Sequence, residues 1–229
     1  MKDQIAEAAL HPVRTTARCA VAAFVLVGAA WTARAGWQIR LAAAGQPSSG
    51  PPDQGGGRHR PLTALEDAYH IVSSLGDAAT VLCAIAFLMW LGRVRDNARA
   101  LSSQQPRYSW PWAYLGWIIP IANLWVPRAL IADIHRIGAP ERPLPRVVNW
   151  WWALWLVGMV SGVGLMYADS TDEVIARAYT DVGPLLAADA ALVGAAVAGA
   201  LMVRALSAVQ EDRMEEVSRH GAAPGGQAA

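Results

Sequence analysis

The chain has 229 residues, of which 54% are hydrophobic and only 16% charged, with a formal net charge of +1. Soluble domains carry roughly 25% charged residues, so the shortage points to lipid as the solvent. The near-neutral balance excludes a global field that would draw the protein to nucleic acid. Cys19 and Cys83 fall in or beside apolar runs without partner spacing, which argues against a disulfide framework or a zinc site.

A bilayer core about 30 Å thick needs roughly 20 mostly apolar helical residues. Four runs meet or approach that length: Cys19 to Trp37, Ile71 to Leu91, Trp150 to Ala168 and Val182 to Val203. Residues 1–18 are expected to form a cytoplasmic N-terminal tail, 19–213 the membrane domain and 214–229 a disordered cytoplasmic tail. Ala33-Arg34-Ala35, after a basic start and an apolar stretch, is an alternative signal-peptide cleavage site. Residues 45–61, GQPSSGPPDQGGGRHRP, predict an external loop with too little apolar surface to order itself. Thr63 with Glu66, and Ser170 with Glu173, fit capping boxes at helix starts. Trp31, Trp37, Trp90 and Trp150 to Trp152 stand near the expected span ends and read as interfacial anchors.

Between the second and third spans lies WPWAYLGWIIPIANLWVPRALIADIHR, from Trp110 to Arg136. Pro111, Pro120 and Pro127 each remove a backbone donor and resist helix continuation, so short helical pieces are expected. Charge decides whether this stretch spans. With four spans and a cytoplasmic N-terminus, fourteen of the nineteen Lys and Arg residues fall inside. With a fifth span only eight do. The expectation is an all-α, polytopic membrane helix bundle with four transmembrane helices and both termini cytoplasmic. Residues 110–137 then form a proline-broken interfacial or re-entrant element on the cytoplasmic side.

Two constellations could carry function. Asp77 and Asp189 lie six and seven residues into their runs, roughly 9 to 11 Å below the run ends at helical rise, and Arg34 reaches the same leaflet. Intramembrane ionisable groups are costly unless paired or hydrated, so Arg34, Asp77 and Asp189 are a candidate cluster. It serves either as an ion pair locking helices or as a proton or cation relay. The second constellation is a basic rim of Arg93, Arg95, Arg99, Arg107, Arg128 and Arg136 around the broken segment. With Asn97, Trp117, Pro120, Asn123, Trp125, Pro127 and Asp133, it makes a candidate interfacial motif for anionic headgroups. Asp133 and His135, two apart, sit on different helix faces, which argues against a joint metal site. Gly158 with Gly162, and Ala190, Gly194 and Ala198, suit close packing of the third and fourth spans. No metalloprotease, serine-hydrolase or phosphate-loop pattern occurs, so no catalytic residue and no cofactor are assigned.

Trp90-Leu91 followed by Arg93, Arg95, Asn97 and Ala98 opens a longer pattern. It continues through Ser109 to Ala113, Gly116-Trp117, Pro120-Ile121, Asn123-Leu124-Trp125, Pro127, Asp133-Ile134 and Arg136. With Trp150 to Trp155 and Gln210 to Arg213, it resembles the bacterial, commonly actinobacterial, membrane-protein family called domain of unknown function 4328. The resemblance covers roughly residues 17–213, with Gly92 and His135 standing where the pattern leads one to expect aromatics. It implies a multi-span domain of the bacterial inner membrane and supplies no substrate, cofactor or catalytic residue. The expected activity is interaction with membrane lipids or other membrane proteins. The alternative is a small transporter or channel using Asp77 and Asp189.

Overall fold

The computed structural model of the chain describes residues 12–101, 106–109, 111–166 and 170–221. In chain order its helices are α1 (Arg14–Ala44), α2 (Ala64–Leu101), α3 (Trp112–Ile118), α4 (Val126–Gly138), α5 (Arg146–Met166), α6 (Thr171–Thr180) and α7 (Val182–Gly221). A 3₁₀ turn, Ala122–Leu124, joins α3 to α4. No strand occurs among the described residues, so the all-α expectation holds.

Helices α1, α2 and α7 are long and apolar enough to cross a membrane. Their apolar windows have mean hydropathies of 1.5, 2.0 and 2.0, yet only 28%, 22% and 50% of those windows is buried within the protein. The remainder puts Val25, Leu26, Leu75, Val81, Leu82, Met89, Val197 and Leu201 outward. A soluble monomer rarely exposes so many large apolar side chains on long helices, so these faces are consistent with a multi-pass membrane protein. The expected third span falls on α5, although its last residues, 167 and 168, lie outside the described residues.

The chain divides into two compact units. The first comprises Met1–Ala22, Ala84–Asn149 and Gly199–Ala229, and the second Ala23–Cys83 and Trp150–Ala198.

In the second unit, both capping boxes form. Glu66 accepts from the Thr63 backbone N–H at 2.8 Å while Thr63 Oγ1 accepts from the Glu66 N–H at 3.3 Å. Ser170 Oγ accepts from the Glu173 N–H at 3.2 Å, starting α6. Each such cap is worth about 0.5–2 kcal/mol of helix stability. Leu41, Tyr69, Ile175 and Ala178 form a buried cluster joined by Trp37, Leu65, Val174 and Tyr179. Two of the small residues of α5 and α7, Gly158 and Gly194, act as expected, whereas Ala190 is exposed. A Cβ at Gly158 would lie 2.6 Å from Leu192 Cδ2, and one at Gly194 would lie 3.1 Å from Leu154 Cδ1, so each glycine receives a leucine of the other helix. The packing of Gly162 lies outside the described residues.

Three expectations are corrected here. Residues 45–61 form a turn-rich loop, with an isolated bridge between Asp53 and His59 and Arg60 Nε donating to the Gly50 carbonyl at 2.9 Å. Gly55, Gly56 and Gly57 all take positive φ, a run that only glycine enters without strain. Composition counted the missing apolar surface and could not count these local hydrogen bonds. At the other end of the chain, residues 214–221 continue α7 rather than joining the disordered tail. The third correction concerns tryptophans: Trp31, Trp90, Trp151 and Trp152 are buried, whereas Trp150 is exposed. Burial takes a ring when its helix phase turns it inward, and Trp31 and Trp90 then find hydroxyl acceptors in Thr80 and Ser207.

Candidate functional site

The broken segment belongs to the first unit, and its shape follows from its prolines. Pro111 caps α3, whose last turn closes as the Ile119 N–H donates to the Leu115 carbonyl at 3.0 Å. Pro120 cannot continue that ladder, so Ile119 becomes extended and the chain turns through the 3₁₀ residues. Pro127 then sits in the first turn of α4, where its missing donor costs nothing. Helices α3 and α4 meet closely at Gly116, where a Cβ would lie 2.5 Å from Val126 Cγ1. Trp110, the first residue of the segment, lies outside the described residues.

The two halves of the segment present opposite surfaces. Helix α4 is anchored: Leu130, Ile131, Asp133, Ile134, His135 and Ile137 are buried. The α3 half and the turn are not, for Ile118 is 74%, Ile121 68% and Trp125 53% exposed, with Trp112, Leu115, Ile119 and Leu124 beside them in the sequence. Seven large apolar side chains in fourteen residues thus face outward from a short, broken element.

Asp133 is the polar anchor of α4. Its Oδ2 accepts from the Arg107 backbone N–H and its Oδ1 from Arg136 Nη2, both at 2.7 Å. The Arg136 side chain is therefore engaged within the protein. Arg128 Nε donates to Asn149 Oδ1 at 2.9 Å, while Arg93 and Arg99 stand exposed on α2. Asn97 is fully buried, its amide lying 3.7 Å from the Met214 sulfur. Trp117 and Asn123 are half-buried, and Pro120 is exposed while Pro127 is buried. The rim expected from sequence therefore mixes exposed cations with cations bound inward.

Sequence reasoning placed Arg95 in that rim but did not show its burial. Arg95 is 4% exposed; its Nη2 donates to the Tyr108 carbonyl at 3.0 Å, while its Nε and Nη1 have no hydrogen-bond partner among the described residues. Gln210, also buried, donates to the Val94 carbonyl at 2.7 Å. His135 Nε2 faces the carbonyls of Arg142 and Pro143 at 3.1 and 3.2 Å, so that nitrogen carries the proton and donates. Among the described residues no group of three or more His, Cys, Asp or Glu side chains could hold a metal ion.

The second unit contains the intramembrane charges. Arg34 and Asp189 form a buried ion pair: Arg34 Nε donates to Asp189 Oδ1 at 3.0 Å and Nη2 shares the same oxygen. The Trp31 ring lies 4.6 Å from the Arg34 guanidinium, supplying a cation–π face. Tyr69 is fully buried, and its hydroxyl has no hydrogen-bond partner among the described residues. Gln38 Nε2 donates to the Ala178 carbonyl at 2.5 Å. Asp77 is exposed on α2 and makes no ion pair among the described residues. The structure therefore brings together two of the three expected residues, and the helix phase of α2 turns Asp77 aside.

A second polar knot joins the loop, α2 and α6. Arg60 Nη2 meets Glu66 Oε1 at 2.6 Å and Tyr179 donates its hydroxyl to the same oxygen at 3.1 Å. The Glu66 carboxylate holds the Arg60 guanidinium above its ordinary pKa. Burial, and then donation to Glu66, push the Tyr179 phenol up to about 12. His59 Nδ1 donates to Asp172 Oδ2 at 2.7 Å nearby.

An all-helical chain with several helices able to cross a bilayer, interrupted by a proline-broken apolar element, is the class of protein these features define. The chain belongs to the family described as Domain of unknown function (DUF4328), whose model matches residues 62–208 and so takes in the whole broken segment. Among curated proteins and among solved structures nothing matches the chain.

Proposed function

We propose that this protein is a four-span protein of the bacterial inner membrane, with both termini cytoplasmic, that acts by engaging anionic lipid through its proline-broken element. The observation that carries this reading is the outward row from Trp112 to Trp125 on an element whose other half, α4, is anchored by Asp133. Apolar side chains at such a tip are stable in an acyl environment, and Trp112 and Trp125 suit the headgroup boundary. Exposed Arg93 and Arg99 supply the positive charge that anionic headgroups require.

Single cysteines test the reading in a Cys19→Ser/Cys83→Ser background. Spin labels at Ile118 and Ile121 are expected to contact oxygen in the acyl region more than aqueous paramagnets. Cysteines at Ser109 and Gly138 should label from the same, cytoplasmic, side. Labelling of Ser109 and Gly138 from opposite sides would mean that the segment spans, and aqueous exposure of Ile118 would remove it from the bilayer.

A small transporter or channel is the second reading, favoured by Asp77, an exposed carboxyl in the apolar run of α2. Proton or cation flux into vesicles that disappears in a folded Asp77→Asn variant would establish it.

A further inference from the structure

Within the first unit Arg14 of α1 meets Glu211 of α7, its Nε donating to Oε2 at 3.0 Å. A groove of about 400 Å³ runs from that pair toward Val21 and Arg204. Its lining sets a wall of small and apolar residues, Ala17, Val21, Ala22 and Ala208, beside the polar Arg14, Arg18, Arg204, Ser207 and Glu211. Its polar groups are already engaged in part. Ser207 accepts from Trp90 Nε1 at 2.9 Å, and Glu211 is neutralised by Arg14. What remains is Arg18 on α1 and Arg204 on α7, both exposed, and neither has a hydrogen bond or ion pair among the described residues. The groove therefore holds two uncompensated guanidinium groups above an apolar wall.

Guanidinium forks match phosphate oxygens, and these two leave the groove with an excess of two positive charges. Both flanking helices are apolar enough to cross a membrane, and Leu201, three residues before Arg204, is exposed. A free phosphate would use the cations and leave the apolar wall idle. The geometry points to a binding site for one anionic glycerophospholipid, its phosphodiester between Arg18 and Arg204 and its acyl chains along Val21, Ala22 and Leu201. This goes beyond the reading of the broken element, sharing with it only the placement of the chain in a membrane. Its residues lie on different helices from that element.

The full chain, purified in mild detergent with equal amounts of phosphatidylglycerol and phosphatidylcholine, gives the test when retained lipid is read by native mass spectrometry. Wild type is expected to retain phosphatidylglycerol in preference. An Arg18→Gln/Arg204→Gln variant should lose roughly tenfold of that preference, as removal of charge-assisted hydrogen bonds implies. An Arg142→Gln/Arg213→Gln variant, which removes the same charge elsewhere in the unit, should keep it. Wild-type preference in the first variant, or equal loss in the second, would overturn the site. So would displacement of phosphatidylglycerol by inorganic phosphate, which would make the occupant a soluble anion. If the double variant does not fold, Arg18→Gln and Arg204→Gln singly carry the test, and each must lower the preference. The spin labels at Ile118 and Ile121 report the broken element independently, so either idea can fail alone.

Discussion

Gly116 and Val126 touch so closely that a methyl group on the first would lie 2.5 Å from Cγ1 and 3.1 Å from Cβ of the second. This contact closes α3 onto α4 across a break that prolines impose and no continuous helix bridges. Gly116→Ala should therefore destabilise the first unit by about 1–3 kcal/mol, the usual cost of forced overpacking. Adding Val126→Ala should recover part of the loss, because the two sites share one contact. Thermal melts of the two single variants and the double in detergent decide it. Strict additivity would mean that α3 is not seated on α4.

Trp90 donates its indole N–H to Ser207 Oγ at 2.9 Å while fully buried. Trp90→Phe keeps most of the apolar volume and strands the Ser207 hydroxyl, for an expected loss of about 1–3 kcal/mol. Ser207→Ala should cost less in a Trp90→Phe background than in wild type. A Trp90→Phe protein as stable as wild type would restore this residue to the interfacial role its sequence position suggested.

That reversal shows what was legible in the sequence. Helix starts at Thr63 and Ser170, the break at Pro120 and the glycine contacts of α5 with α7 rest on local chemistry, and local chemistry is written residue by residue. Side-chain direction is not. Asp77 and Asp189 lie at like depths in their runs, but the face of the helix on which each falls puts one in an ion pair with Arg34 and leaves the other exposed. Arg93 and Arg95 likewise differ only by two positions on α2, and one faces outward while the other is buried beside Tyr108. The loop of residues 45–61 was opaque for a different reason: its order depends on Arg60 reaching both Gly50 and Glu66.

Tyr179 gives the second unit a dependence on alkaline pH. Its phenol is pushed up to about 12 by burial and by donation to Glu66, against an ordinary value of roughly 10. A folded-state value above the unfolded one means that the folded protein holds this proton more tightly, so its contribution is complete below roughly pH 10. It is lost as pH rises through about 12. Melting temperature should fall across that window in wild type and fall less in Tyr179→Phe, with the phenolate absorbance following the same titration. An unchanged alkaline loss in Tyr179→Phe would assign the effect elsewhere, because Arg60 beside it stays charged throughout.

Arg34 and Asp189 decide whether the intramembrane charges are structural. Each alone would be a charge in an apolar surrounding, so Arg34→Gln or Asp189→Asn should cost about 3–5 kcal/mol, the usual loss when one member of a buried pair is removed. Removing both is different, because desolvation of the pair offsets much of its attraction. Arg34→Met/Asp189→Leu should therefore be more stable than either single variant, apart from the lost contact between Arg34 and the Trp31 ring. Melts of the reconstituted protein test this, and a double variant as impaired as the sum of the singles would show two independent roles. If the apolar double variant also retains wild-type lipid preference, the pair is a lock between α1 and α7. A vesicle flux lost in that variant, with the fold intact, would instead make Asp189 a conducting group.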